Sequence, residues 1–174
     1  MLRYSLALGR PKIHRTNAER QAAYRQRLRQ RQPVEFRHQR DIWDTPPELF
    51  AALDAEFHFT VDLAALPYNA KCRRYFTPGQ DALQQPWEGV CWLNPPYGPM
   101  LRQWMQKAHT SAREGATVVC LVPARTDTSW WHDYVLPYSE VRFLRGRLRF
   151  HGAKNSAPFP SAVVIFRPAV KQEP

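Results

Sequence analysis

Between residues 41 and 167, short apolar stretches typical of buried strands alternate with segments whose apolar residues recur at helical spacing. No other feature of the chain constrains its fold as tightly. Strands alternating with helices indicate an α/β fold, in which a mostly parallel sheet carries helices on both faces. Ligands of such sheets bind beyond the carboxyl ends of the strands, so polar residues that directly follow a strand are the first candidates for a site.

The predicted elements follow one another closely. Strands are expected to end near Asp62 and to cover 89–93, 117–122 and 141–144, with a terminal pair around 148–150 and 162–166 that includes an antiparallel strand. Helices are expected from Pro47 to about Phe57, from Leu101 to a stop at Gly115, and over 131–137. The first of these helices follows a predicted Thr45-Pro46-Pro47-Glu48 capping box.

Composition excludes several classes of protein. The 174 residues are 44% hydrophobic, yet no uninterrupted apolar stretch is long enough to cross a bilayer, so we expect no membrane partner. The three cysteines form no CxxC or CxxH pair and the six histidines show no metal spacing, so we expect no disulfide framework and no metal. The first residues carry no secretory pattern, and a cytoplasmic location is expected.

Positive charge is concentrated in the first forty residues. Residues 1–40 hold 11 Lys and Arg against 2 Asp and Glu, whereas residues 41–174 hold 14 against 13. We therefore predict a basic arm, 1–40, with a helix over about 17–31, and a folded domain, 41–174. Such an arm is attracted to nucleic acid because neutralising phosphates releases counterions, and Arg20, Arg25 and Arg27 are candidates for that contact. A solubilising tail is the alternative.

The most specific motif is Asn94-Pro95-Pro96-Tyr97, directly after the apolar stretch 89–93. An exocyclic amine is a poor nucleophile because its lone pair is delocalised. The Asn94 side-chain oxygen and the Pro95 carbonyl can each accept one N–H, which favours a pyramidal nitrogen whose lone pair faces an electrophilic methyl group. The prolines fix the direction of that carbonyl, and Tyr97 offers a ring for stacking on a planar substrate. The motif predicts methylation of an amine.

The motif does not choose the amine. Adenine N6, a guanine or cytosine amine and a protein glutamine amide all suit it. A proline-stiffened turn that only links strand to helix is the structural alternative.

Further segments give the chain a resemblance to a known family. They are Asp41-Ile42-Trp43-Asp44-Thr45-Pro46, Leu49-Phe50, Val61-Asp62-Leu63-Ala64-Ala65, Asn69-Ala70-Lys71-Cys72, residues 94–97 and Arg145-Gly146-Arg147-Leu148-Arg149-Phe150. In this order, over about 41–167, they resemble the phage-type, Dam-like DNA adenine-N6 methyltransferases. The resemblance implies a Rossmann-like methyltransferase fold, S-adenosylmethionine as methyl donor, double-stranded DNA as partner, and a target adenine flipped into a pocket at residues 94–97.

The resemblance also implies contacts to the cofactor. Thr45-Pro46 is similar to a Thr-Pro element near the methionine end of the cofactor, and Asp81 to the acidic residue that contacts its adenine amine. Helix capping and a turn are the respective alternatives. Asp62 is a candidate for a ribose hydroxyl or the methionine ammonium, and a solvated carboxylate at the end of a strand is the alternative. Asp62 stands with Ala64 where the superfamily usually has a glycine-rich turn, although residues 62–67 contain no glycine. Asn94 completes the predicted cofactor set.

Four arginines outside the arm are candidates for DNA contacts. Arg145, Arg147 and Arg149 alternate along a predicted strand, so that all three would point to one face, and Arg125 follows the strand predicted at 117–122. Guanidinium groups on one face suit phosphates or guanine edges. A charged, solvated edge strand is the alternative.

Three functions remain open at the level of sequence. The first is a DNA adenine-N6 methyltransferase in the cytoplasm of a bacterial host, encoded by a phage or prophage. The second is a methyltransferase that acts on RNA or on a protein amide. The third is a non-catalytic nucleic-acid-binding protein. The sequence predicts neither a recognition sequence nor an oligomeric state.

Overall fold

A computed structural model of the protein describes residues 43–168. Five strands, β1 (Val61–Asp62), β2 (Val90–Leu93), β3 (Thr117–Pro123), β4 (Glu140–Phe143) and β5 (Ser161–Phe166), form one sheet in the order β1-β2-β3-β5-β4. β1, β2 and β3 are parallel, and β5 is antiparallel to both of its neighbours. The basic arm, its predicted helix and Arg20, Arg25 and Arg27 lie outside the described residues.

The predicted α/β fold with a mostly parallel sheet and one antiparallel strand is confirmed. β3 and β5 lie inside the sheet and are buried along almost their whole length. A strand covered on both faces needs apolar side chains in both directions, which explains the continuous apolar sequences of these two strands. β5 is last in the chain but interior in the sheet, between β3 and β4.

Helices cover both faces of the sheet. α1 (Pro47–Phe57) packs Leu53 and Phe57 into a cluster with Trp92 of β2. α2 (Leu101–Arg113) packs on the opposite face, where Cys91 is one of the strand residues that it covers. A π-helical turn, Trp131–Val135, continues into the short α3 (Leu136–Tyr138) on the α2 face. Cys91 and Trp92 are neighbours in β2 but belong to different hydrophobic clusters, because side chains point alternately to the two faces of a strand.

Two local predictions were wrong. The first is the capping box: α1 has Pro46 as its N-cap without any side-chain cap bond, although Pro47 does stand at the first helical position. Thr45 is 1% exposed and its hydroxyl binds Asn94 instead. The local pattern loses to a tertiary contact because a buried polar group needs a partner more than an exposed helix end does.

The second is the strand predicted around 148–150. Residues 144–160 form an irregular segment between β4 and β5. Arg145, Arg147 and Arg149 are exposed while Phe150 is 2% exposed, so the alternation of polar and apolar residues is real. It describes an extended segment lying on the core, but a strand also needs a pairing partner, which this segment lacks among the described residues.

Candidate active site

The ends of two neighbouring strands create a polar cleft. β1 and β2 are parallel with Asp62 opposite Trp92, so the residues that follow each strand emerge at the same edge of the sheet. This is the place where open α/β sheets bind ligands. The cleft is lined by Trp43, Asp44, Thr45, Asp62, Ala64, Ala65, Leu66, Asn69, Lys71, Trp92, Asn94, Pro95 and Pro96.

Asn94 has a fixed side chain with one unused group. Its Nδ2 donates one hydrogen bond to the carbonyl of Trp43 and one to Oγ1 of Thr45, the latter at 2.9 Å. Its Oδ1 is buried and has no hydrogen-bond partner among the described residues. An unpaired buried acceptor costs about 1–3 kcal/mol, which a ligand that donates an N–H would recover. The described part of the chain therefore holds an acceptor ready for a donor that it does not itself supply.

Pro95 and Pro96 line the same cleft, but Tyr97 does not. Tyr97 is 5% exposed, and its hydroxyl donates to the carbonyl of Leu121 at 3.0 Å. Its ring meets Phe150 and Phe159 edge to face, with centroids 6.1 and 5.6 Å away. Burial raises the pKa of this hydroxyl well above its ordinary value. The structure places the ring in the core, so stacking on a substrate stays a prediction that requires the ring to be uncovered.

Asp62 shapes the loop after β1. It is 3% exposed, and its two carboxylate oxygens accept from the backbone N–H of Ala64 at 3.2 Å and of Lys71 at 3.0 Å. Burial raises the pKa of this carboxyl, against the two backbone hydrogen bonds and Lys71, which act in the opposite direction. Asn69 adds a bond from the N–H of Leu66 to its Oδ1 at 2.7 Å. Side chains thus hold a turn that contains no glycine.

Residues 43–45, here called the 43–45 segment, line the cleft and also contact residues outside it. Asp44 forms an ion pair with Lys71 at 3.1 Å, and its carbonyl accepts from the N–H of His151 at 2.8 Å. The Trp43 ring packs against Phe150, with centroids 4.9 Å apart. The sequence motifs contain Trp43, Asp44 and Lys71, but sequence reasoning gave them no role. Their place inside family-like motifs was the available indication.

The structure brings together only part of the predicted cofactor set. Thr45, Asp62, Ala64 and Asn94 line the cleft. Pro46 lies instead in a shallow groove beside residues 149–154. Asp81 occupies a left-handed backbone conformation between two 3-10 turns, Pro78–Gln80 and Ala82–Gln84, and is not one of the residues that line the cleft. The turn interpretation therefore describes the backbone of Asp81, and its cofactor contact stays a prediction.

The four predicted DNA-binding arginines within residues 43–168 are on the surface. Arg125 follows the carboxyl end of β3 and is exposed. Arg145 and Arg147 are also exposed, and Arg149 is exposed with its Nε donating to the carbonyl of Ala153 at 3.1 Å. None of these guanidinium groups forms an ion pair within residues 43–168.

Metal-binding clusters and membrane-spanning helices are both absent from the described part of the chain. Residues 43–168 contain no cluster of three or more His, Cys, Asp or Glu side chains arranged to hold a metal ion. No helix in this part is long and apolar enough to span a membrane.

The fold and the cleft define an open-sheet α/β protein with a candidate ligand site at the ends of β1 and β2. Residues 34–173 match the model of one family, described as "DNA N-6-adenine-methyltransferase (Dam)". The chain belongs to this family. The resemblance seen in the sequence is thereby confirmed, and the chain falls in the class of adenine-specific DNA methyltransferases.

Two phage proteins that are similar in sequence agree with this assignment. The DNA N-6-adenine-methyltransferase of Haemophilus phage HP1 is 28% identical over 138 residues, which cover 74% of this chain and 80% of that protein. The enzyme of the same name from Escherichia phage T1 is 30% identical over 113 residues, or 63% of this chain and 47% of that protein. A SAM-dependent O-methyltransferase from Thermotoga maritima gives a TM-score of 0.45 at 8% identity, covering 78% of this chain and 70% of that one.

Proposed function

We propose that the protein transfers a methyl group from S-adenosylmethionine to N6 of an adenine in double-stranded DNA, at the corner formed by Asn94 and Pro95. Family membership supports the reaction and the substrate class. The observation that carries the location is the buried, unpaired Oδ1 of Asn94. An acceptor kept free while both amide hydrogens are occupied is suited to an N–H that arrives with the substrate.

The carbonyl of Pro95, which also lines the cleft, would supply the second acceptor. Among the described residues no backbone N–H donates to it. Adenine N6 carries two hydrogens, and two fixed acceptors match them. Accepting both hydrogens draws the amine away from planarity and frees its lone pair for the methyl carbon. Two hydrogen bonds fix the Asn94 side chain and the prolines restrict the backbone, which supports an orientation that does not have to be assembled during the reaction.

The cleft suits the cofactor chemically. S-adenosylmethionine supplies an electrophilic methyl group on a positively charged sulfur, and its methionine part carries an ammonium and a carboxylate. The lining includes the carboxylates of Asp44 and Asp62 and the ammonium of Lys71. Asp62, the main chain around Ala64 and Lys71 would hold the cofactor, beside Asn94. The side-chain bonds of Asp62 keep this loop in one shape before binding.

DNA would reach the cleft across an arginine-rich surface. Arg125, Arg145, Arg147 and Arg149 are exposed and outside any ion pair among the described residues, so they suit phosphate contacts. The basic arm adds a sequence-independent attraction. The target adenine has to leave the base stack to reach a cleft in the protein, which costs a few kcal/mol. The host cytoplasm is the compartment in which such DNA is met.

Methyl transfer from labelled S-adenosylmethionine tests the proposal. The purified protein is expected to label unmethylated double-stranded DNA that contains adenine and to leave a duplex of only G and C unlabelled. The label should appear as N6-methyladenine after digestion. Label in the G and C duplex, in RNA or in a protein instead of adenine-containing DNA would contradict the substrate assignment.

A further inference from the structure

Both hydrogens of the Asn94 amide are used by one short piece of chain. The acceptors are the Trp43 carbonyl and the Thr45 hydroxyl, 51 and 49 residues before Asn94 in sequence. Asn94 follows a strand, whereas the 43–45 segment precedes a helix. The bonds therefore join two parts of the fold that are not neighbours in the chain.

The two acceptors differ in how strictly they determine the orientation of the Asn94 amide. A carbonyl can only accept, so Trp43 determines which end of the amide faces it, because the opposite orientation would place oxygen against oxygen. A hydroxyl can donate or accept, and Thr45 accepts here because Trp43 has already placed the NH2 group on its side. Together they restrain the amide plane at two points, which leaves Oδ1 with one direction.

The second bond also makes Oδ1 a better acceptor. Hydrogen bonds in a chain polarise one another, so an amide that donates twice carries more negative charge on its oxygen. That oxygen is the atom proposed to hold the adenine amine. Thr45 therefore affects the reacting atoms only through Asn94.

The segment that holds Asn94 is itself rigidly held. Thr45 is 1% exposed, and Trp43 packs against Phe150 and Phe159, with ring centroids 4.9 and 5.3 Å away. Asp44 is tied to Lys71 and to the backbone of His151. A support of this kind keeps an active group in a productive orientation, and a shift of about 1 Å in its placement is costly to rate.

We infer that Thr45 is a positioning residue for Asn94, whose hydroxyl keeps the amide oxygen aimed at the substrate amine. The inference deepens the proposed function and rests on it. It replaces the cofactor contact predicted for Thr45 from the sequence with a contact inside the protein. The two roles make opposite predictions: a positioning residue affects kcat, whereas a cofactor contact affects the Kd of the cofactor.

Three variants test the inference. Thr45→Val has the same shape without the acceptor, and Thr45→Ser keeps the hydroxyl. Thr60→Val is the control, because the Thr60 hydroxyl binds the carbonyl of Val90 at 3.0 Å, at the other end of the same strand that leads to Asn94. Thermal melting of each variant identifies any that fail to fold.

With saturating cofactor and DNA, Thr45→Val is expected to lower kcat about 10-fold, with the Kd of S-adenosylmethionine within about 2-fold of the parent value. Thr45→Ser should recover most of the loss, and Thr60→Val should keep the parent kcat. A higher cofactor Kd with unchanged kcat would overturn the inference, because Thr45 would then be a cofactor contact. Equal losses in Thr45→Val and Thr60→Val would also overturn it.

The second measurement does not depend on activity. The side-chain NH2 of Asn94 gives a pair of signals in a 1H–15N spectrum, assigned by their disappearance in Asn94→Ala. In Thr45→Val one of the two is expected to move toward the position of a solvated amide and to exchange faster, while Thr45→Ser and Thr60→Val leave the pair unchanged. An unchanged pair in Thr45→Val overturns the inference. A parent protein that methylates no adenine contradicts the proposed function instead, and the NH2 pair still reports on the bond to Thr45.

Discussion

The polar side chains of the cleft are held by hydrogen bonds, whereas the arginines of the 144–160 segment are exposed to solvent. In the cleft, Asn94 and Asp62 are fixed by hydrogen bonds from or to named partners, while the Asn94 oxygen is left unused among the described residues. On the 144–160 segment, Arg145 and Arg147 extend into solvent. Fixed buried groups are suited to orienting a reaction, whereas exposed charges are suited to attraction at a distance. Variants of the two regions should therefore change different quantities.

The largest effect is expected from Asn94→Ala. Losing one pre-oriented group that acts in the transition state typically lowers kcat by about 10²–10³-fold. The Kd of S-adenosylmethionine, measured by calorimetry, should change little because Asn94 acts on the substrate amine. Gln106→Ala is the control, since it removes an exposed side-chain amide on α2 that does not line the cleft. Parent turnover in Asn94→Ala would end the proposed mechanism.

Deleting residues 1–40 tests whether the basic arm contributes to DNA binding. The deletion removes 11 of the 25 Lys and Arg residues. DNA should bind more weakly, and the slope of log K against log salt should become flatter by about 0.9 for each phosphate that the shortened chain no longer neutralises. The kcat at saturating DNA should be retained. The same salt slope before and after the deletion would show that the arm does not contact DNA.

A smaller change of the same kind is expected from the triple variant Arg145→Ala, Arg147→Ala and Arg149→Ala. Its salt slope should flatten by up to about 2.7, at about 0.9 for each arginine bound to a phosphate, with kcat at saturation kept. Arg113→Ala, which removes an exposed charge at the end of α2, is the control. A fall in kcat with unchanged DNA affinity would place these arginines with the cleft instead.

The smallest effect is expected for the contribution of Asp62 to the free energy of unfolding. Burial raises its pKa above the ordinary value of 3.8, so the folded protein binds this proton more tightly than the unfolded chain does. The contribution of Asp62 to the free energy of unfolding is therefore greatest below pH 3.8 and declines as pH rises toward the raised pKa. Asp62→Asn should remove this decline.

At neutral pH the same variant loses one backbone hydrogen bond, worth about 1–3 kcal/mol, but also removes a charge that burial disfavours. The net fall in the free energy of unfolding should therefore be smaller than the hydrogen-bond loss alone. Denaturant melts over a pH series measure both effects. A pH dependence identical in the parent and in Asp62→Asn would mean that Asp62 has an ordinary pKa.

The two regions also differ in what sequence could predict. Asn94 was predicted from its motif and Asp62 from the end of an apolar strand, and the structure has both at strand ends, because a strand end locates a residue in an α/β sheet without further information. The bond from Asn94 to Thr45 spans 49 residues, and no local pattern reports such a contact. The local pattern at Thr45 predicted a capping box, but the Thr45 hydroxyl binds Asn94 and does not cap the helix.

In residues 144–160 the alternation of polar and apolar residues correctly predicted which side chains are exposed, but the predicted strand was wrong. β5 is already paired with β3 and β4, so this segment has no place in the sheet. Tyr97 shows the same limit. Its motif predicts a ring available to a ligand, whereas only the packed structure reveals Phe150 and Phe159 around it.

The interior position of β5 has a consequence for biosynthesis. β3 and β4 leave the ribosome first, yet within the described sheet each of them reaches the other only through residues 161–166. Until that strand emerges, the facing edges of β3 and β4 have no partner, and the edge of the apolar β3 makes such a nascent chain a natural target for chaperones. A chain stopped before Ser161 would already contain every residue that lines the cleft, but it would lack the strand that joins β3 to β4.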